Sequence, residues 1–371
     1  MKKFLIRFTL FALPFVLYLS GTFTIAYYTG ESFSYSSVLD MQESDNNLLY
    51  SPYELEATFS YKVSYLQNYA PEVVILGSSR SLQYRSMFFN RNRDVVYNAG
   101  GHTWGLQEML WMTEYFDSDS LPDVIIMALE QPDFRAQDSF AYRPLPIDPD
   151  ESSLDRSVAG IANVTSAILG DRMTLSQILS PDESRLGLAA LSFGHGFRFD
   201  GSFQVAQTIL DTLDERRERH RIALQEQSTS YFSPATATST HNLGQVENLL
   251  QWAIENDIYV IAYFPPFSES IYEGMMASGE FSYMPESSDA LTTLFDTYDF
   301  PFFDFSNPAW LGAGDEALYD GIHAGEWLYM RIHTEMLRAL PDVLGDYADV
   351  ETLEAWMAAS DNLFDVPEEY P

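Results

Sequence analysis

Three short apolar runs constrain the fold of this chain most: Val73 to Leu76, residues 124–129 and residues 258–264. Each is short, β-branched and bounded by turn residues, such as Leu121-Pro122-Asp123 before the second and Glu255-Asn256-Asp257 before the third. Continuous apolar runs of this kind read as strands buried on both faces of a parallel sheet. Between them lie helical stretches over residues 103–116 and 242–256, the latter with Leu243, Val246, Leu249, Leu250 and Ala253 at helix spacing. Strand, helix, strand alternation predicts a doubly wound α/β sheet, in which ligands sit at the carboxyl ends of the strands. The turn Gly77-Ser78-Ser79-Arg80 follows the carboxyl end of the first strand.

That turn carries a hydroxyl, and far downstream Tyr319-Asp320-Gly321-Ile322-His323 places a carboxylate three residues before an imidazole. A serine hydroxyl is a weak nucleophile until a base takes its proton, and the base works best when a carboxylate fixes its tautomer and stabilises its charge. Ser79, His323 and Asp320 are the candidates for these roles. Their arrangement requires only one long-range docking, because one short segment supplies both base and carboxylate. A Gly-Ser-Ser turn alone has backbone reasons to exist, and Asp-Gly-Ile-His alone could be a turn with a surface histidine or half of a metal site.

The sequence excludes several other classes. Acidic residues outnumber basic ones 54 to 20, a net charge of -34, which opposes nucleic acid and anionic headgroups. So acidic a surface repels itself unless salt screens it, and a high-salt habitat is the expectation. There is no cysteine, hence no disulfide, thiolate metal site or thiol nucleophile. After Lys2, Lys3 and Arg7, the uncharged residues 9–28 are about the 20 needed to cross a bilayer. The apolar region is longer than that of a cleaved signal, and no Ala-x-Ala-like site follows. The flanking charges predict a cytoplasmic amino terminus and an extracytoplasmic, periplasmic or cell-surface, remainder.

The expected organisation is an anchor over residues 1–29, a stalk and lead-in helix over 30–70, and a catalytic domain over 71–340. An insertion at about 140–240, including a charged helix over 211–221, interrupts that domain, and an acidic tail over 341–371 closes the chain. Leu353, Trp356, Met357 and Leu363 are the residues able to dock that tail.

The strand with Gly77-Ser78-Ser79, the Asn98-Ala99-Gly100-Gly101 turn and the closing Asp320-x-x-His323 resemble the SGNH/GDSL hydrolase superfamily. The anchor, the Gly-Ser-Ser-Arg form of the first block, Tyr263-Phe264-Pro265-Pro266 and Phe303-Asp304-Phe305-Ser306 look more narrowly like its anchored extracytoplasmic subgroup. That subgroup includes proteins of teichoic-acid D-alanylation and of alginate and exopolysaccharide O-acetylation. The resemblance spans about residues 71 to 340. It implies a flavodoxin-like three-layer α/β/α fold, no metal or other cofactor, and acyl transfer or ester hydrolysis through Ser79. It also implies a cell-surface glycopolymer as acceptor and a membrane-bound O-acyltransferase as partner.

In that family the oxyanion is held by the nucleophile's own N–H, a glycine N–H from the second block and an asparagine from the third. The second block maps onto Gly100 or Gly101, with Thr103 as a further position. The third departs from Gly-x-Asn-Asp, reading Glu130-Gln131-Pro132-Asp133, so Gln131 either replaces the asparagine or the donor is missing. Arg80 and His102 are candidate substrate contacts, Arg80 for an anionic group, with a salt bridge to a carboxylate as its competing role. His195 is a candidate to reach the cleft from the insertion. The rival functions are an esterase acting on the same polymers, a scaffold subunit with a weakened site, and a metal-dependent hydrolase built on Asp320 and His323.

Overall fold

The computed structural model describes residues 1–101, 106–116, 120–136, 153–170, 172–174, 177–178 and 181–367. They form two compact units, residues 1–65, 145–199 and 203–206 in one and residues 66–144, 200–202 and 207–371 in the other.

The second unit is built on a five-stranded, all-parallel sheet. Its strands are β1 (Val73–Leu76), β2 (Val96–Asn98), β3 (Val124–Ala128), β4 (Tyr259–Phe264) and β5 (Phe302–Asp304), in spatial order 2-1-3-4-5. This is one of the two common orders of doubly wound sheets, and the order reverses between β1 and β3, the point at which such sheets characteristically bind ligands. The apolar runs become strands because both faces are covered. Val73, Ile75, Val124, Ile126, Ile261 and Tyr263 pack with Leu328, Tyr329, Ile332 and Met336 of the Glu326–Ala339 helix. Val74, Ile125, Val260 and Ala262, alternating with them, are equally buried. The Thr240–Glu255 helix buries Val246, Leu249, Leu250 and Ala253 and packs against β4. It starts where Ser239 caps it, the serine hydroxyl accepting the Asn242 N–H at 3.3 Å.

The expected acidic tail is folded into this unit. Leu344, Ala348, Leu353, Met357 and Val366 belong to the core cluster on one face of the sheet, and Trp327 Nε1 donates to Met357 O at 3.1 Å. Asp342, Asp346, Glu351, Glu354, Asp361 and Asp365 are exposed on these docked segments, while Asp349 caps the Val350–Ala359 helix.

The first unit contains one helix long and apolar enough to cross a membrane, Lys2–Tyr28, with Pro14 inside it. Its far end is packed: Ala26 joins Val164, Ala167, Leu188 and Leu191 in one cluster, and Tyr18 hydrogen-bonds Thr165 of the Ser153–Leu169 helix. Residues 30–65 are not the expected stalk. The Glu31 carboxylate is fully buried and accepts the N–H of Tyr53 at 3.1 Å, that of Leu188 at 2.9 Å and Asn163 Nδ2 at 2.9 Å. Arg156 donates to Glu31 O at 3.0 Å and to Tyr35 Oη at 3.0 Å. Ser32, Tyr35, Tyr50, Ser51, Tyr61 and Tyr65 of the Ser- and Tyr-rich segment are therefore buried, while Ser36, Ser37 and Ser44 remain at the surface. Leu49–Tyr50 then pairs with segments of the expected insertion, Arg185–Leu186 on one side and Gly196–Phe197 on the other. The insertion is thus divided: residues 145–199 complete the first unit, whereas its charged helix, observed over Leu213–Glu226, belongs to the second.

Candidate active site

The polypeptide leaves β1 through Gly77 into a short 3₁₀ turn, Ser79–Ser81, whose entry is fixed by Ser78 Oγ accepting the Arg80 N–H at 3.1 Å. The β1 and β2 loops approach closely here. A Cβ at Gly77 would come within 2.7 Å of Ser81 Oγ and 2.9 Å of Ala128 Cβ, and one at Gly100 would collide with the Ser81 side chain. Glycine at both positions is a steric requirement of this crossing.

Ser79, partly exposed, places its Oγ 3.0 Å from His323 Nε2. On the other side of the ring, His323 Nδ1 lies 2.9 Å from Asp320 Oδ2 and 3.1 Å from Oδ1. Asp320 Oδ1 also accepts the N–H of Ile322 and of His323, both at 2.9 Å, so the tight loop that carries carboxylate and imidazole is closed by the carboxylate itself. Burial pushes the Asp320 carboxyl up, but the adjacent His323, its hydrogen bond and His220 outweigh it and hold the group well below the ordinary carboxylate range. An ionised Asp320 fixes the proton on His323 Nδ1 and leaves Nε2 with a lone pair facing the Ser79 hydroxyl.

Arg80 does not face a ligand. Its side chain is fully buried and every donor is used: Nε to Ile322 O at 3.0 Å, Nη1 to Glu130 Oε2 at 2.7 Å and Gln131 Oε1 at 2.8 Å, and Nη2 to Pro265 O at 2.8 Å and Pro266 O at 2.9 Å. The guanidinium lies over the Phe267 ring at 4.4 Å. It pins the loops after β1, β3 and β4 to the residue before His323, so the substrate-contact assignment gives way to a structural one. Ser78 donates to the same Glu130.

The expected oxyanion donors are also engaged elsewhere. Gly100 N–H donates to Asn98 Oδ1 at 2.9 Å, and Gly101 N–H to Gly77 O at 3.0 Å. Gln131 is fully buried and gives its amide hydrogens to Pro265 O at 2.7 Å and Ser306 Oγ at 2.9 Å. All three expected donors are thus bonded within the protein, an arrangement that fits a structural role rather than one aimed at substrate. Ser79 N–H makes no hydrogen bond among the described residues. His102 and Thr103 lie outside those residues. His195 lies in the first unit, 5.5 Å from the Phe193 ring and 5.1 Å from that of Phe203. Among the described residues no group of three or more His, Asp or Glu side chains is arranged to hold a metal ion.

Sequence reasoning missed His220, whose Nδ1 is 3.9 Å from Asp320 Oδ2, and Glu130, the carboxylate that orders Ser78 and Arg80. His220 sits alone among charged residues on its helix, and no local pattern marks it. Glu130 was signalled only by its place immediately after a strand. The chain matches no protein-family model and no curated protein sequence.

Proposed function

We propose that the protein is a membrane-anchored serine acyl-transfer enzyme of SGNH type, acting outside the cytoplasm. The observation that carries this reading is the continuous chain Ser79 Oγ, His323 Nε2, His323 Nδ1, Asp320, with steps of 3.0 and 2.9 Å, at the carboxyl end of a parallel strand. Ser79 attacks an acyl donor while His323 takes its proton as general base. His323 then returns the proton to the leaving group, and the Asp320 carboxylate stabilises the imidazolium in between. In the second half-reaction His323 deprotonates the acceptor, a polysaccharide hydroxyl for transfer, and Ser79 is regenerated. Ser79 N–H is the described donor available to the tetrahedral oxyanion. The apolar Lys2–Tyr28 helix supports an anchor that keeps Ser79 near the outer mouth of a membrane O-acyltransferase, and the strand order supports the SGNH-type fold.

Hydrolysis of the same esters shares every step up to the acceptor, which is then water. One observation favours a scaffold reading: the N–H groups of Gly100 and Gly101 and the Gln131 amide are all spent within the protein. Burst release of 4-nitrophenol from 4-nitrophenyl acetate decides between them. The expected result for the full-length protein in detergent is a stoichiometric burst, absent in Ser79→Ala and in His323→Ala. No burst from folded wild type would leave the scaffold reading in possession.

A further inference from the structure

The Leu213–Glu226 helix has the sequence of a solvated, charged face, yet two residues one turn apart grip the catalytic loop. Arg217 donates from Nε and Nη2 to Leu318 O at 3.1 and 2.8 Å, and from Nη2 to Glu316 O at 3.2 Å. His220 follows, with its Nδ1 accepting the Gly321 N–H at 3.3 Å. The fit is close: a Cβ on Gly321 would lie 2.7 Å from His220 Cβ. Gly321 is the residue between Asp320 and the Ile322-His323 pair, so this contact bears on the segment whose shape sets the triad.

The Nδ1 that accepts an N–H cannot carry a proton, so neutral His220 holds its hydrogen on Nε2. That same Nδ1 is 3.9 Å from Asp320 Oδ2, the oxygen that holds His323 at 2.9 Å. A protonated His220 presents a hydrogen from Nδ1 and opposes the Gly321 N–H donor to donor, with the Asp320 carboxylate 3.9 Å away as the charged acceptor it faces. Asp320 and His323 face the ring from the loop, Arg219 acts from its own helix, and the Phe232 ring stands edge-on at 6.0 Å. The Glu269–Ser278 helix, which packs along this one, brings Glu269 and Glu273. Burial is the chief influence holding His220 below the ordinary histidine range. Asp320 and a hydrogen bond to the Arg216 backbone oppose it, while His323 and Arg219 add to it.

Resting on the assignment of Ser79 as nucleophile, we propose that His220 is a positioning residue for the catalytic loop. Neutral, it accepts the Gly321 N–H and leaves Asp320 committed to His323; protonated, it competes for that carboxylate and turns the site down.

The test uses full-length protein in detergent micelles, with pH profiles of 4-nitrophenyl acetate turnover for wild type, His220→Phe and His220→Asn, and Ser79→Ala as the blank. His220→Phe leaves a buried N–H unmet and is expected to lower kcat about tenfold with KM within about twofold. His220→Asn offers Oδ1 where Nδ1 stood and cannot be protonated. It is expected to recover most of the loss and to convert an acid limb that steepens toward two protons into a one-proton limb. The low-field proton resonance of the His323–Asp320 hydrogen bond gives a readout independent of turnover: acid should perturb it in wild type before it does in His220→Asn. An unchanged kcat in folded His220→Phe overturns the proposal. Should that variant fail to fold, identical acid limbs in wild type and His220→Asn overturn it instead. Wild-type turnover no higher than that of Ser79→Ala removes the nucleophile reading and this inference with it, whereas Ser79-dependent turnover indifferent to both His220 variants sinks the His220 assignment alone.

Discussion

Whether a side chain touches substrate or holds the scaffold depends on how many of its hydrogen-bonding groups are already met. Arg80 and Gln131 both stand beside the candidate nucleophile, and both are fully satisfied by protein. Residue identity made Ser79, His323 and Asp320 legible, because their chemistry and their spacing within short loops are local properties. The saturation of Gln131 was illegible, since it depends on partners such as Pro265 and Ser306 that lie far away in sequence, and that of Gly100 depends on the local turn geometry that brings Asn98 Oδ1 to its N–H. A consequence is measurable at Gln131. As an oxyanion donor its removal would cost about 10²- to 10³-fold in kcat. As a strut between Arg80, Pro265 and Ser306, Gln131→Ala should lower unfolding free energy by about 1 to 3 kcal/mol while kcat falls by less than about tenfold. Denaturant unfolding beside turnover separates the two, and a stable variant with a hundredfold loss would restore the oxyanion role.

The elements most clearly written in the sequence are those with a strong period and a single environment. The strands β1, β3 and β4 and the Thr240–Glu255 helix fall within a few residues of expectation because uniform burial selects uniform apolar runs. Residues 30–65 and the tail were harder, since their polar side chains are inward-facing or capped by partners supplied from distant sequence. The Glu326–Ala339 helix shows how such a partner matters. It carries His333 into the core, where Nδ1 lies 2.6 Å from Tyr84 Oη and the Phe89 ring centroid is 4.3 Å away. Burial lowers the His333 pKa to about 3. With a folded value below the unfolded value of about 6.5, the neutral form contributes stability that is complete above pH 6.5 and is lost as pH falls toward about 3. Across that window the loss is roughly 3 to 5 kcal/mol. His333→Asn retains an acceptor for Tyr84 where Nδ1 stood and cannot charge, so the stability gap between wild type and variant should narrow steadily from pH 6.5 to pH 4.5 in urea unfolding. A gap that does not change with pH would show that His333 does not titrate in the folded protein as argued.

At the scale of the molecule, charge is the property that composition exposes and folding leaves at the surface. Of 20 basic residues, Lys62, Arg80, Arg85, Arg135, Arg156 and Arg198 are buried, and Lys2, Lys3 and Arg7 belong to the apolar N-terminal helix or its first turns. Several of the buried arginines are held by internal carboxylates or carbonyls, as in Arg80–Glu130 and Arg85–Glu326, with side chains 0–3% exposed on the arginine side. Glu31, Glu108, Glu130, Asp133, Asp320 and Glu326 are buried as well, so among the described residues burial removes both signs equally and the surface left to solvent keeps the acidic excess of the chain, whose net charge is -34. Carboxylates without nearby cations repel one another over a Debye length of about 10 Å at 0.1 M salt, shrinking to about 3 Å at 1 M. Screening should therefore raise the unfolding midpoint steeply at low sodium chloride and flatten it near 1 M. A salting-out effect on apolar burial would instead keep rising with concentration. Thermal unfolding of the full chain from 0.05 to 3 M sodium chloride distinguishes the two shapes. A midpoint independent of salt throughout would mean that the acidic surface is tolerated without screening, and the high-salt expectation would fall.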